Sequence, residues 1–121
     1  MKPVRVGVIG VGRMGGNHCR VYSSIRAADL VGIYDADRQS GASVARQYGV
    51  PHFDEVDELL EQVDAVSVAT PTPSHFDLAT QCLERGVHVL VEKPLADTLE
   101  HAEALTDMAA STPRVLMVGH I

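Results

Sequence analysis

The apolar run Val4-Arg5-Val6-Gly7-Val8-Ile9 passes directly into Gly10-Val11-Gly12-Arg13-Met14-Gly15. A strand feeding a Gly-x-Gly-x-x-Gly turn narrows the choice of fold, because each glycine answers a different steric demand. Gly10 allows a tight turn off the strand, Gly12 lets backbone come close to a bound phosphate, and Gly15 lets the next helix close onto the strand. An anion at that helix N-terminus meets unpaired N–H groups and the positive end of the helix dipole, with no need for a cationic side chain. Three glycines also make a merely flexible loop, so the flanking residues decide. Met14, His18, Val21 and Ile25 follow at the three-and-four spacing of one buried helix face. Leu30-Val31-Gly32-Ile33-Tyr34 then reads as a second strand ending at Asp35, 20 residues past Gly15. A βαβ unit brings a carboxylate at that point to the adenosine ribose of a dinucleotide.

Asp35 also bears on which dinucleotide is held. Its carboxylate accepts hydrogen bonds from the ribose diol of NAD, whereas the 2′-phosphate of NADP sets like charges together, costing roughly 4 kcal/mol per pair at 4 Å and an effective dielectric of about 20. The expectation is NAD, with NADP as the alternative. Arg38, just past the second strand, is the residue able to turn toward a 2′-phosphate; its other reading is a solvated side chain in the first helical turn.

A chain of 121 residues suits one domain with a real core. Hydrophobic content of 45% with a net charge of −6 is that of an ordinary soluble protein, neither disordered nor membrane-spanning, and no basic stripe points to nucleic acid. No charged-then-apolar leader precedes the first strand, which leads to the expectation of a cytoplasmic protein. Cys19 and Cys82 fall on different expected helices without metal-ligand spacing and read as buried thiols.

Strands and helices alternate along the rest of the chain. A helix is expected over residues 37–48, ended by Gly49 and Pro51, then a very short strand at His52-Phe53 and a short helix over 56–61. A strand over 65–69, a helix over 73–85 closing at Gly86, and a strand over 87–91 follow. Asp97 with Glu100 signals a capping box for a helix to about residue 110, and a last strand is expected over 115–118. Six parallel strands with intervening helices make an α/β, doubly wound parallel sheet of three layers, in the order 3-2-1-4-5-6.

Ligands bind such sheets beyond the carboxyl ends of the strands. Two unusual segments lie there, Thr70-Pro71-Thr72-Pro73-Ser74-His75 and Glu92-Lys93-Pro94. Thr72 as a cap with Pro73 at the first helical position accounts for part of the first segment. It leaves Thr70-Pro71 as a stiff turn beside the glycine loop. His75 either reaches the cofactor or faces solvent, while His18, on an otherwise apolar stripe, reads as a satisfied packing histidine. Lys93 faces the side of the crevice where a substrate hydroxyl could be held or a proton moved. Its other reading is a surface lysine paired with Glu92. The isomer of the Lys93–Pro94 peptide stays open.

Gly10-x-Gly12-x-x-Gly15 with His18, Asp35, Ala69-Thr70-Pro71-Thr72-Pro73-Ser74-His75 and Glu92-Lys93-Pro94-Leu95-Ala96, in this order and spacing, resembles the N-terminal domain of the Gfo/Idh/MocA oxidoreductases. The resemblance covers the whole chain and implies a Rossmann fold in an NAD(P)-dependent enzyme that moves hydride between the nicotinamide and a hydroxyl or ketone of a sugar, cyclitol or nucleotide sugar. It implies that Gly10, Gly12, Arg13 and Met14 surround the pyrophosphate and that Asp35 holds the adenosine ribose. Thr70, Pro71 and His75 would lie along the cofactor, Glu92 would approach the nicotinamide ribose, and Lys93 would contact substrate. His120 resembles the start of a segment seen in members acting on nucleotide sugars. Those enzymes continue into a second α/β domain that carries most of the substrate pocket and the oligomer interface. The expectation is therefore that this chain is the cofactor domain alone, binding dinucleotide but turning substrate over poorly.

A short-chain dehydrogenase would need Tyr-x-x-x-Lys, and Tyr22, Tyr34 and Tyr48 all lack a lysine four residues on. The competing non-enzymatic reading is a module that senses NAD(H) or serves as a scaffold. Lys93 argues against it, since sensing has no use for a lysine in the hydride crevice.

Overall fold

The computed structural model describes residues 2–119. Five apolar segments form the sheet: β1 (Val4–Ile9), β2 (Ala28–Tyr34), β3 (Ala65–Val68), β4 (His88–Glu92) and β5 (Leu116–Gly119). Five helices connect or flank them: α1 (Arg13–Ser24), α2 (Arg38–Tyr48), α3 (Val56–Leu60), α4 (His75–Glu84) and α5 (Leu99–Ala110). All strand pairs are parallel, in the order β2-β1-β3-β4-β5. The sixth strand expected at His52-Phe53 is a single bridge from His52 to Ile33, so the sheet has five strands rather than six. Pro51 has no N–H to extend a ladder. The segment's backbone bonds to β2 are Ile33 N–H on the Pro51 carbonyl at 3.1 Å and Phe53 N–H on the Ile33 carbonyl at 3.0 Å.

Helices cover both faces. On one, Val6, Val8 and Val11 pack with Cys19 of α1, Leu30 and Ile33 of β2, and Ala45 of α2. On the other, Ile9, Val66, Val68, Val89 and Val91 pack with Leu59, Leu60, Ala79, Cys82, Leu83 and Leu105 from α3, α4 and α5. The central strand β1 feeds both cores, with Val6 and Val8 on one face and Ile9 on the other.

The buried face of α1 differs from the expected one. Gly15 and Cys19 are buried, with Tyr22 partly so, whereas Val21 and Ile25 are 44% and 45% exposed. The cause is contact rather than hydrophobicity: Gly15 packs against the Gly10 carbonyl and so fixes the helix rotation.

Helix ends follow local chemistry. Asp37 caps α2 by accepting from the N–H groups of Gln39 and Ser40, and the Ser40 bond in particular holds its carboxyl below the usual range. Gly49 closes that helix at φ 67°, in the left-handed region. On α5 the cap is Thr98, whose hydroxyl accepts from His101 N–H at 3.1 Å; the Asp97/Glu100 capping box is not formed. Thr72 caps nothing either, because a 3₁₀ turn over Thr72–Ser74 precedes α4.

Cys19 and Cys82 are both free and fully buried. Burial pushes their thiols up to about 11 and about 12. Since only the thiolate is nucleophilic, iodoacetamide at pH 7.5 is expected to label neither cysteine in the native protein and both after unfolding. Mass spectrometry showing rapid native labelling would contradict this packing.

Candidate dinucleotide site

From β1 the chain crosses to β2 on one side through α1, while β3 passes through α4 to β4 on the other. The carboxyl ends of β1 and β3 therefore flank the reversal point, where a crevice opens in this kind of sheet.

The three glycines of the turn divide into two kinds. Gly10 adopts φ +88°, and a Cβ there would lie 2.8 Å from Thr70 Cγ2 and 2.9 Å from the Ala69 carbonyl. A Cβ on Gly15 would lie 1.7 Å from the Gly10 carbonyl oxygen. The protein's own packing demands both residues. At Gly12 an added Cβ would meet nothing within 4 Å, and the backbone is in the ordinary extended region. Gly12 is the N-cap of α1, whose first turn has no side-chain cap and no acidic residue. Open space and uncapped N–H groups at a helix N-terminus are what a pyrophosphate requires, so the residues present fit a dinucleotide.

Asp35 ties this turn to the end of β2. Its Oδ2 accepts from Val11 N–H at 2.9 Å and its Oδ1 from Asp37 N–H at 2.8 Å. A carboxylate has about four acceptor positions, so lone pairs remain for ribose hydroxyls. Asp35 lines a cleft of about 570 Å³ together with Gly10, Gly12, Thr70 and Pro71. Arg13 and Arg38 are exposed and do not line it. Arg38 Nη1 lies 3.8 Å from Asp54 Oδ1, an exposed pair that contributes little.

A second cleft of about 410 Å³ shares Thr70 and Pro71 with the first and is lined further by Met14, His75, Glu92 and Lys93. The two clefts adjoin at the carboxyl end of β3, on either side of the Thr70–Pro71 turn. His75 faces no solvent: it is 1% exposed, with its ring nitrogens 2.8 Å from the Thr70 carbonyl and 2.9 Å from the Pro94 carbonyl. It pins the β3 loop to the β4 loop. The Thr70 hydroxyl meets Ser74 Oγ at 2.5 Å, and that hydroxyl donates to the Pro71 carbonyl at 2.7 Å, which stiffens the turn.

Lys93 is exposed at the cleft, and the Lys93–Pro94 peptide is cis. The Lys93–Glu92 pair is not formed; Glu92 instead pairs with His18 Nε2. His18 is satisfied, as its position suggested, but by polar partners: Nδ1 lies 2.9 Å from Ser67 Oγ, and that hydroxyl meets Tyr22 OH at 2.5 Å. Ser67 and Tyr22 escaped notice in the sequence. The signal was present in a lone serine within the apolar run of β3 and in a histidine and tyrosine four residues apart on α1. His120 lies outside the described residues. Among those residues no group of side chains is arranged to hold a metal ion, and no helix is long and apolar enough to cross a membrane.

The fold and this site define a dinucleotide-binding α/β domain of the doubly wound type. The chain belongs to the Gfo/Idh/MocA oxidoreductases: residues 4–120 match the family's NAD-binding Rossmann domain. It is 43% identical over 118 residues to UDP-N-acetylglucosamine 3-dehydrogenase of Acidithiobacillus ferrooxidans, which covers 98% of this chain and 37% of that protein. To inositol 2-dehydrogenase 1 of Saccharopolyspora erythraea it is 47% identical over 100 residues, 78% of this chain and 30% of that one. The structure of GenD2 from gentamicin A biosynthesis, in complex with NAD, superposes with a TM-score of 0.94 at 36% identity, covering 98% of this chain and 35% of GenD2. The chain thus spans about a third of the length of these relatives.

Proposed function

We propose that this chain is the cofactor-holding domain of an NAD-dependent dehydrogenase acting on a hydroxyl, or the corresponding ketone, of a sugar, cyclitol or nucleotide sugar. The observation that carries the reading is Gly12, a glycine that no contact within the protein explains, at an uncapped helix N-terminus. Gly10, Gly12, Met14 and the N-terminus of α1 hold the pyrophosphate, with Gly15 setting the helix in place and Arg13 beside it. Asp35 accepts from the adenosine ribose, and its charge disfavours a 2′-phosphate; Arg38 is the residue on which NADP binding would rest. Thr70 and Pro71 form the stiff wall between the two halves, with His75 fastened behind them. Glu92 accepts from hydroxyls at the nicotinamide side. When bound, the nicotinamide supplies the hydride chemistry. Lys93 Nζ holds the substrate oxygen and carries its proton. Substrate choice and oligomer contacts belong to a separate domain, with a sugar-like molecule as partner rather than nucleic acid or membrane, in a cytoplasmic setting.

Calorimetric titration with NAD, NADH, NADP and NADPH tests the cofactor reading: NAD(H) is expected to bind more tightly than NADP(H). Binding of none of them would overturn it, and preference for NADP would transfer the discriminating role from Asp35 to Arg38. In the intact enzyme, Lys93→Met is expected to lower kcat by roughly 10²- to 10⁴-fold while NADH affinity stays within about twofold. Unchanged turnover would remove Lys93 from the chemistry.

A further inference from the structure

A hydrogen-bonded chain runs from α1 through β3 to the end of β4. Tyr22 OH meets Ser67 Oγ, Ser67 Oγ meets His18 Nδ1, and His18 Nε2 meets Glu92 Oε1. Its donors and acceptors can be ordered from one fixed point. The Glu92 carboxylate only accepts, so Nε2 carries a proton and donates to it. In the neutral ring Nδ1 is then an acceptor, filled by the Ser67 hydroxyl, which in turn accepts from Tyr22. Every bond of the chain then has one donor and one acceptor, and a complete, partly buried network of this kind holds its members in one arrangement.

The far end of that chain is placed where orientation matters. The side chains of His18 and Glu92 are each 12% exposed, and Glu92 lines the second cleft next to Lys93. Its Oε2 sits beside Gly119, the residue paired with it across the sheet, where a Cβ would come within 3.2 Å. The carboxylate is thereby wedged between an imidazole on one side and bare backbone on the other. Ser67 is fully buried, so the imidazole is itself held by a hydroxyl that no water reaches.

We infer that His18 is a positioning residue: braced by Ser67 and Tyr22, it holds the Glu92 carboxylate toward the nicotinamide-side half of a bound dinucleotide. This rests on the reading that the two clefts hold one dinucleotide, with Glu92 at its nicotinamide ribose. His18 itself touches no ligand in this role. It separates the two halves of the cofactor energetically, because Glu92 lines the second cleft and not the first.

The test compares NADH with ADP, which carries the adenosine and pyrophosphate but lacks the nicotinamide half, by calorimetry on the intact protein. Glutamine places an amide N–H near the Nε2 position and asparagine an amide oxygen near Nδ1, so His18→Gln keeps the bond to Glu92 and His18→Asn keeps only the bond from Ser67. His18→Asn is expected to weaken NADH about 10-fold or more while ADP changes less than about twofold, and His18→Gln to recover most of that loss. Ser67→Ala, a small change at a buried position, should give the same NADH-specific loss at smaller size if His18→Asn folds poorly. Equal losses for NADH and ADP, or no advantage of glutamine over asparagine, would overturn the positioning role. Unaltered NADH affinity in all three variants would do the same while leaving the dinucleotide reading intact, whereas a wild-type protein that binds neither ligand would remove both.

Discussion

Gly15→Ala is expected to abolish the native arrangement of α1. The added Cβ would lie 1.7 Å from the Gly10 carbonyl oxygen, and the obstacle is backbone rather than a side chain able to rotate away. Relief requires moving α1 off β1, which pulls Cys19 from its core and lifts the glycine turn from Thr70 and Ala69. Overpacking of this severity costs roughly 3 kcal/mol or more, a large share of the roughly 5–15 kcal/mol available to a domain of this kind. Thermal unfolding should show a midpoint at least about 10 °C lower, with NADH binding weakened alongside it. A midpoint within about 2 °C of wild type would mean that α1 does not sit where the structure places it.

Gly12→Ser should do the opposite. A Cβ there meets no atom of the rest of the protein within 4 Å, the backbone angles suit any residue, and serine is a better N-cap than glycine. Stability is expected to hold within about 1 kcal/mol. The new atoms occupy the space at the mouth of α1 that a pyrophosphate would fill. NADH affinity should therefore fall about 30- to 100-fold, or roughly 2–2.7 kcal/mol, and ADP should weaken with it because the pyrophosphate is common to both. A Gly12→Ser protein of normal stability and normal NADH affinity would show that the ligand does not approach this turn, and the cofactor reading would lose its main support. The two substitutions lie three residues apart in one motif and separate its folding role from its binding role.

Where local chemistry decided the structure, the chain was legible. β1 to β5 appear within a residue or two of their apolar runs, and α2 is bounded by the Asp37 cap and Gly49 that mark it in the sequence. Where the local signal pointed to one residue, a neighbour took its place. Asp97 with Glu100 was expected to cap α5, and it is the hydroxyl of Thr98, one residue on, that reaches His101 N–H. On α1 only half of the stripe of Met14, His18, Val21 and Ile25 turns inward: the close approach at Gly15 rotates the helix so that Cys19 is buried and Val21 and Ile25 are left exposed. Hydrophobic spacing ranks faces by composition, and a single steric contact outweighs it.

The strand-turn-helix fingerprint, the acid at the end of the second strand and the Glu92-Lys93-Pro94 segment established a parallel α/β sheet and the residues gathered at its carboxyl edge, because those signals act within a few residues of backbone. The partners of those residues are another matter. That His75 ties two loops, that Asp35 spends bonds on the glycine turn, and that Glu92 answers to His18, 74 positions away, and not to its neighbour Lys93 follows from the packing of distant elements. A side chain's partner is set by which strand ends lie side by side, and in a parallel sheet that adjacency exists only after the crossovers have closed.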